Sequence, residues 1–526
     1  MWNADQPPPR FQQQRPDFRP PTTRPLPIWY WLIPAIAALI ALIVVGVLIV
    51  RPLLGPVITE DGGDGVGDRY FPTAGGGGYD ARDYRIEVSW LETQSRLEGR
   101  TTMTAAATRP LQRLRLDLAL PASEVRLNGQ PVRFTQQGLD LAVTADRVLA
   151  PGEEFRVEVV YAGNPDDAAG LTTARALRLN REILFAGQPF GAALWYPSND
   201  HPSDPATMEV IARVPSDLQA ISVGALISRD IGDEPDWDTW HWRSDQPMAT
   251  YLNLLAIGPY TVIEDNTGVR PQLYAVSKQL APPLAAGTEA ALRRTPETVR
   301  RLEEVWGPYP FGQVGGVASS VDVGFGALEN QTRPLYRSES LAQNPNRLLT
   351  HEYAHMWFGN QVTLRQWDDI FMNEGYASFS EWIVTERTGG RSANEQLLTQ
   401  YNEVDDRLWG LRIDDPGPNR MFAAVYVRGP MALQALRNVL GDEQFFALVG
   451  TGSPGPVPAV SRNGSSAPRP VPAWTWRRSG RPGSRGPRNP PGPRRMASLL
   501  EFRDSAGAAV ISTRCPWENS AGAATR

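Results

Sequence analysis

Between Tyr84 and about Tyr260 apolar and polar residues alternate in short runs, RIEVSW, LRLDLAL, FRVEVVY and MEVIARV, separated by turn clusters such as NGQ and APGEE. A period of two sends successive side chains to opposite faces of a strand, so 84–260 is predicted to be an antiparallel, β-rich N-terminal domain. From about Thr288 the period lengthens. ALRRTPETVRRLEEVW, NRLLTHEYAHMWFGNQV, ASFSEWIVTERTGG and RGPMALQALRNVLGDEQFFALV carry apolar residues three and four apart, the spacing of one helix face. The stretch 261–450 is therefore predicted to be a mainly helical domain, and the chain α+β and multidomain. No period of the kind that marks repeat arrays is present.

Ile28–Val50 follows neither pattern. It is an uncharged run of 23 residues, about 34 Å long as a helix against a hydrocarbon core of about 30 Å, and predicts one transmembrane helix. Trp29, Tyr30 and Trp31 sit at one end as an aromatic belt, and Arg10, Arg15, Arg19 and Arg24 precede them against Asp5 and Asp17. That imbalance predicts a single-pass protein of the cell membrane with its N-terminus cytoplasmic and everything after the span extracytoplasmic, the lipid bilayer being a partner. A cleaved signal peptide is the alternative, although its apolar region is normally only about 7–15 residues. Residues 1–27, rich in Pro, Gln and Arg, read as a disordered cytoplasmic tail, and 51–83, with DGGDGVGD and GGGG, as a flexible stalk.

Beyond Gly450 the text changes again. Residues 451–526 hold 12 Pro and 12 Arg against three acids, Glu501, Asp504 and Glu518. Two readings stand: a disordered basic tail, or the product of a frameshift in GC-rich DNA, a composition also suggested by Lys278 being the one lysine among 52 basic residues.

At 41% hydrophobic and 21% charged residues there is material for cores of two or three domains, and collagen-like or coiled-coil architectures are excluded. A net charge of −5 gives no reason to expect nucleic acid as a partner. The lone Cys515 excludes an internal disulfide and a thiolate zinc site.

The chemistry concentrates at His351, Glu352, Tyr353, Ala354 and His355, which spell HExxH in a helical segment. Positions i and i+4 share a face, so both imidazoles can reach one ion, with Glu352 beside them to take a proton from water. Two nitrogen ligands favour zinc, and a catalytic zinc takes a third protein ligand while keeping one position open. Glu374, after 18 intervening residues in FMNEGYASF, is placed to supply it. His351 and His355 are two of only four histidines; the other pair, His201 and His241, lie elsewhere, and His201 in YPSNDHPSD reads as a turn residue.

These strings, with HMWFGNQVT, VGFGALENQT and NEGYASF, resemble the gluzincin aminopeptidases of the aminopeptidase N and leukotriene hydrolase group over roughly Tyr84–Gly450. The resemblance implies a thermolysin-like, mainly helical zinc peptidase domain behind the β domain, one Zn2+ per chain held by His351, His355 and Glu374, and Glu352 as catalytic base. The family's Gly-Ala-Met-Glu-Asn element corresponds to Gly326, Ala327, Leu328, Glu329 and Asn330, with Leu conserving the volume of Met. It implies an edge strand that pairs with an extended peptide, Gly326, Ala327 and Asn330 contributing to substrate binding and Glu329 meeting a free α-amine. Gln188, in AGQPFGAALWYPSND, takes the part of a second amine ligand. The family's Tyr-Glu-Lys-Gly string becomes Tyr426, Val427, Arg428 and Gly429, which makes Tyr426 the donor to the developing oxyanion.

The implied activity is zinc-dependent removal of N-terminal amino acids from peptides with a free N-terminus. A thermolysin-type endopeptidase shares HExxH and a distant Glu without needing Glu329, and a membrane-tethered inactive scaffold with a truncated catalytic domain is the reading outside enzymes.

Overall fold

The computed structural model describes residues 60–168 and 176–450, and the backbone alone of two short strands, Thr475–Arg477 and Glu501–Arg503, which pair antiparallel. The cytoplasmic tail and transmembrane helix predicted at 1–27 and 28–50, and otherwise the tail at 451–526, lie outside the described residues. Among the described residues no helix is long and apolar enough to cross a membrane.

The first half is built on an eight-stranded sheet in the order Ala225–Glu234, Trp237–Met248, Ala206–Pro215, Tyr79–Leu91, Arg96–Ala107, Glu154–Gly163, Ala122–Leu127, Gln130–Pro131. Alternation does what the sequence implied: Tyr84, Ile86, Val88 and Trp90 of one strand are all buried, while the residues between them are not. The sheet is not purely antiparallel, however. Tyr79–Leu91 pairs parallel with Ala206–Pro215, Asp83 opposite Thr207, a pairing joined by a long connection that includes the three-stranded sheet Leu111–Asp117, Asp140–Leu149, Arg133–Gln137.

Residues 60–83 are not the flexible stalk that their glycines predict. A strand begins at Tyr79, and the segment before it is a strap folded against both halves of the molecule. The glycines serve close packing: a Cβ at Gly62 would lie 2.2 Å from the Gly77 carbonyl oxygen, and one at Gly65 2.2 Å from that of Pro72. Asp68, 2% exposed, accepts hydrogen bonds from the backbone of Tyr70 (2.7 Å), Phe71 (2.9 Å) and Trp367 (2.7 Å), and its other neighbour is His201 Nε2 at 3.1 Å. Burial would raise this carboxyl, but those hydrogen bonds hold it at about 2.

The second half contains a five-stranded mixed sheet that the helical reading of 261–450 missed, ordered Tyr260–Asp265, Gln272–Ser277, Val314–Ser319, Leu335–Arg337, Ala327–Leu328. The helix Pro345–Ala354 is fastened to its centre by Tyr353, whose hydroxyl donates to the Gly315 carbonyl (2.6 Å) and accepts from the Gly315 amide (2.9 Å). Trp306, closing the helix Thr295–Trp306, donates from Nε1 to Ser380 of the helix Phe371–Arg387 at 2.9 Å.

Two buried polar residues join the halves. Glu182, 1% exposed, receives hydrogen bonds from Tyr260 (3.0 Å), Gln279 (3.0 Å), Ser319 (2.5 Å), Ser320 (2.6 Å) and Ser277. Arg333 donates to the carbonyls of Gly224 (3.1 Å), Leu273 (3.4 Å) and Ser222, with its guanidinium 4.7 Å from the Trp242 ring centre. Burial lowers its pKa to about 10.

Candidate metal and peptide-binding site

The HExxH helix starts with Pro345 at its first position, where a missing N–H costs nothing, and ends at Ala354, so His355 is its C-terminal cap. The two imidazoles still lie along one side, edge to face with ring centres 5.0 Å apart. Glu374 lies in the first turn of Phe371–Arg387 and brings one oxygen to 3.3 Å from His351 Nε2 and 3.4 Å from His355 Nε2. A tetrahedral ion with ligands at about 2.0–2.1 Å holds them about 3.3–3.4 Å apart, so the donor set fits zinc in kind and in spacing. All three residues are buried.

Around this trio the electrostatics are those of a site built for a cation. Hydrogen bonding to Glu374 and Glu381 raises His351 well above the ordinary imidazole range against the effect of burial, and Glu374 and Glu329 raise His355 to about 9. Burial alone would push Glu374 up, but both imidazoles bring it down to about 2. Glu352, 4% exposed, is pushed by burial up to about 7, with the imidazoles opposing and Glu329 and Glu374 adding to the rise. A carboxylate poised near neutrality suits proton transfer in both directions.

Glu329 shares this space, since Glu329, Glu352 and His355 each offer a ligand atom within 4.8 Å of the others. Burial and Glu374 raise it, while His355 opposes. Gln188 donates from Nε2 to Glu329 at 3.3 Å, so two groups distant in sequence meet at one point. Gly326 and Ala327 lie beside them on the sheet edge: Ala327–Leu328 is the outermost strand, paired on one side with Leu335–Arg337. A Cβ at Gly326 would meet only Leu348 Cδ1, at 3.6 Å, so the chain's own packing does not require glycine there.

Asn330 differs from its expected role as a substrate ligand. Its amide donates to the carbonyls of Leu252 (3.2 Å) and Asn253 (3.3 Å) and is wholly buried, so it ties the Glu329 loop to the β domain. Leu328 is likewise a core residue, 4% exposed.

Tyr426 is the second residue of the helix Val425–Leu440 and is 41% exposed, which separates it from core aromatics. Its ring centre is 5.8 Å from that of His351. Desolvation around the hydroxyl, then the carboxylates of Glu374, Glu329 and Glu352, raise the phenol well above its usual range, keeping it a protonated donor.

Four further residues were not singled out by sequence. Glu381 Oε1 lies 2.8 Å from His351 Nδ1 and fixes that ring's orientation; its spacing of seven from Glu374, two turns along one face, was the available signal. Tyr251 is buried beside Glu329 and Gln188, hydrogen-bonded to both, and receives the Asn373 amide at 3.2 Å. Asn360 donates to the Glu329 carbonyl at 3.0 Å. Asn360 and Asn373 lie in the strings HMWFGNQVT and NEGYASF, but their partners Glu329 and Tyr251 are far away in sequence, and nothing in local spacing marks Tyr251.

Comparison with known proteins agrees with this architecture. The Peptidase family M1 domain matches residues 291–451, and the Peptidase M1 N-terminal domain residues 80–252. The chain is 27% identical over 342 residues to "Putative aminopeptidase-2" of Caenorhabditis elegans, covering 59% of this chain and 18% of that protein. It is 31% identical over 255 residues to "Aminopeptidase Ey" of Gallus gallus, covering 45% and 26%. The chain thus spans well under half of these relatives' length. Among solved structures, an M1 zinc metallopeptidase mutant from Deinococcus radiodurans bound to Tyr-Ser-Ala substrate superposes with a TM-score of 0.65 at 29% identity, over 74% of this chain and 89% of that one. A two-domain M1 zinc metallopeptidase mutant bound to L-tryptophan gives 0.66 at 30% identity with the same coverage. With both family domains matched in order and nearly nine-tenths of a two-domain relative reproduced, the chain belongs to peptidase family M1.

Proposed function

We propose that the chain is a zinc-dependent aminopeptidase that releases N-terminal amino acids from peptides. The observation that carries this reading is the meeting of Gln188 and Glu329 within reach of Glu352 and His355. A buried carboxylate beside the hydrolytic centre has an evident partner in the ammonium of a free N-terminus, and it fixes the cut one residue in. A thermolysin-type endopeptidase has no use for it.

His351, His355 and Glu374 hold the metal, which when bound acts as a Lewis acid that lets water ionise near neutrality. Glu329, with Gln188, binds the substrate ammonium, and the free edge of Ala327–Leu328 offers backbone groups to the extended peptide. Glu352 takes a proton from the attacking water and passes it to the departing nitrogen. Tyr426 donates to the carbonyl oxygen as negative charge develops there.

The finer reading includes membrane attachment through 28–50, with the N-terminus cytoplasmic and the peptidase outside. It is supported by the hydropathy of that run and the arginines before it.

The test uses the full chain and an aminoacyl-anilide with a free or an acetylated amine. Zinc-dependent hydrolysis of the free amine alone, abolished by Glu352→Gln without loss of zinc, is expected. Equal hydrolysis of the acetylated substrate would overturn the aminopeptidase reading, and a zinc-loaded, folded wild type without activity would leave the scaffold.

A further inference from the structure

Tyr426 sits on the least self-supporting turn of its helix. Ala424, the residue before the helix, makes no side-chain cap; its carbonyl accepts from the amides of Val427 (3.2 Å) and Arg428 (2.8 Å), and Ala424 and Val425 are buried, while Tyr426 beside them is exposed. Four residues after Tyr426 comes Pro430, which has no N–H to donate to the Tyr426 carbonyl, and Gly429 lies beside it. Gly429 is pressed against Gly375, where a Cβ would come 2.6 Å from the opposing Cα. That contact holds the body of the helix against Phe371–Arg387, and Val425 seats one side of the first turn in the core; the exposed side, which carries Tyr426, leans on the segment before it.

Two sets of hydrogen bonds hold that segment. Arg428 donates to the carbonyls of Leu408 (3.2 Å), Trp409 (3.4 Å) and Leu411. Arg428 belongs to the same helix, so this set shapes the loop without fixing it relative to the zinc ligands. The second set comes from the strap. The Tyr70 hydroxyl donates to Asp415 Oδ1 at 2.6 Å and accepts from the Gly417 amide at 2.8 Å, and Arg69 pairs with Asp415 at 3.1 Å and with Asp368. Next to them Asp68 is anchored on His201 and on the Trp367 amide.

We propose that Tyr70 is a positioning residue for Tyr426: by tying Asp415 and Gly417 to the strap, it sets where the first turn of the Tyr426 helix lies over the zinc ligands. Strap residues Asp68 and Phe71 also brace Trp367 and Phe190 near the amine site, but the Tyr70 hydroxyl bonds to Asp415 and Gly417, so its tie acts on transition-state stabilisation and not on recognition of the substrate's N-terminus.

This inference rests on the aminopeptidase reading, and its test separates the two. Tyr70→Phe in the full zinc-loaded chain keeps the ring and removes both hydrogen bonds of the hydroxyl; Asp415→Asn weakens the same tie from the other side. Each should lower kcat about tenfold, a fraction of what a misplaced or missing donor costs, with KM within about twofold. In a Tyr426→Phe background, Tyr70→Phe should cost nothing further. Amide exchange over 411–427 should quicken in Tyr70→Phe at unchanged zinc content, a readout that needs no catalysis. Multiplicative losses in the double variant, or unchanged exchange, would overturn the proposal. A wild type without activity would sink the functional reading, and exchange would still decide whether the tie exists.

Discussion

His351 is held from both sides, its Nδ1 2.8 Å from Glu381 and its Nε2 facing Glu374 at 3.3 Å. Glu381 thereby selects the tautomer that leaves Nε2 bare for a metal, and Arg347 supports it from a largely exposed position at 2.7 Å. Glu381→Gln should weaken zinc affinity by about 10- to 100-fold, read by competition with a chromophoric chelator. Arg347→Ala should change it little, since an exposed ion pair is worth at most about 1 kcal/mol.

Metal uptake should release protons. In the metal-free chain His355 titrates at about 9 and His351 well above its usual range, so both carry protons near pH 7 that a metal must displace. Zinc affinity should therefore rise with pH up to about 9, and binding heats should vary with the ionisation enthalpy of the buffer. A buffer-independent heat would show that the imidazoles are already neutral.

Burial raises Asp204 to about 7 and Asp200 to about 6 from an unfolded value near 3.8. Both bind a proton more tightly folded than unfolded, so their contribution to stability is complete below about pH 4 and is lost as the pH rises through 6 and 7. Tm should fall over that window, and Asp204→Asn should flatten the fall. Parallel Tm curves for the two proteins would refute the assignment.

Tyr353→Phe should destabilise the zinc-loaded protein by about 1–3 kcal/mol, because it leaves two buried backbone groups of Gly315 without their side-chain partner. Urea unfolding measures this directly.

What could be read from the sequence depended on the range over which each signal acts. HExxH is a relation within one helical turn, and the alternation of Tyr84, Ile86, Val88 and Trp90 needs only a strand with one buried face. Val314–Ser319 is buried at every position, so it gave no alternation to detect and its sheet was missed. Glycine-rich text at 62–78 reads as flexible, although at Gly62 and Gly65 the missing side chain admits a neighbouring backbone. The Glu329 pocket is completed by Gln188 and Tyr251 from the other half of the chain, and only folding brings those together. Asn330 followed a motif to the right place but turned its amide toward Leu252 and Asn253.

Glu182 comes from the β-rich half and takes hydrogen bonds from Tyr260, Ser277, Ser319 and Ser320 of the other. Recombination between relatives at residue 260 would therefore have to carry those hydroxyls along with the glutamate. A chimaera that kept the glutamate and lost the hydroxyls would bury a carboxyl without its partners at the seam, so the two halves are matched to each other at this point.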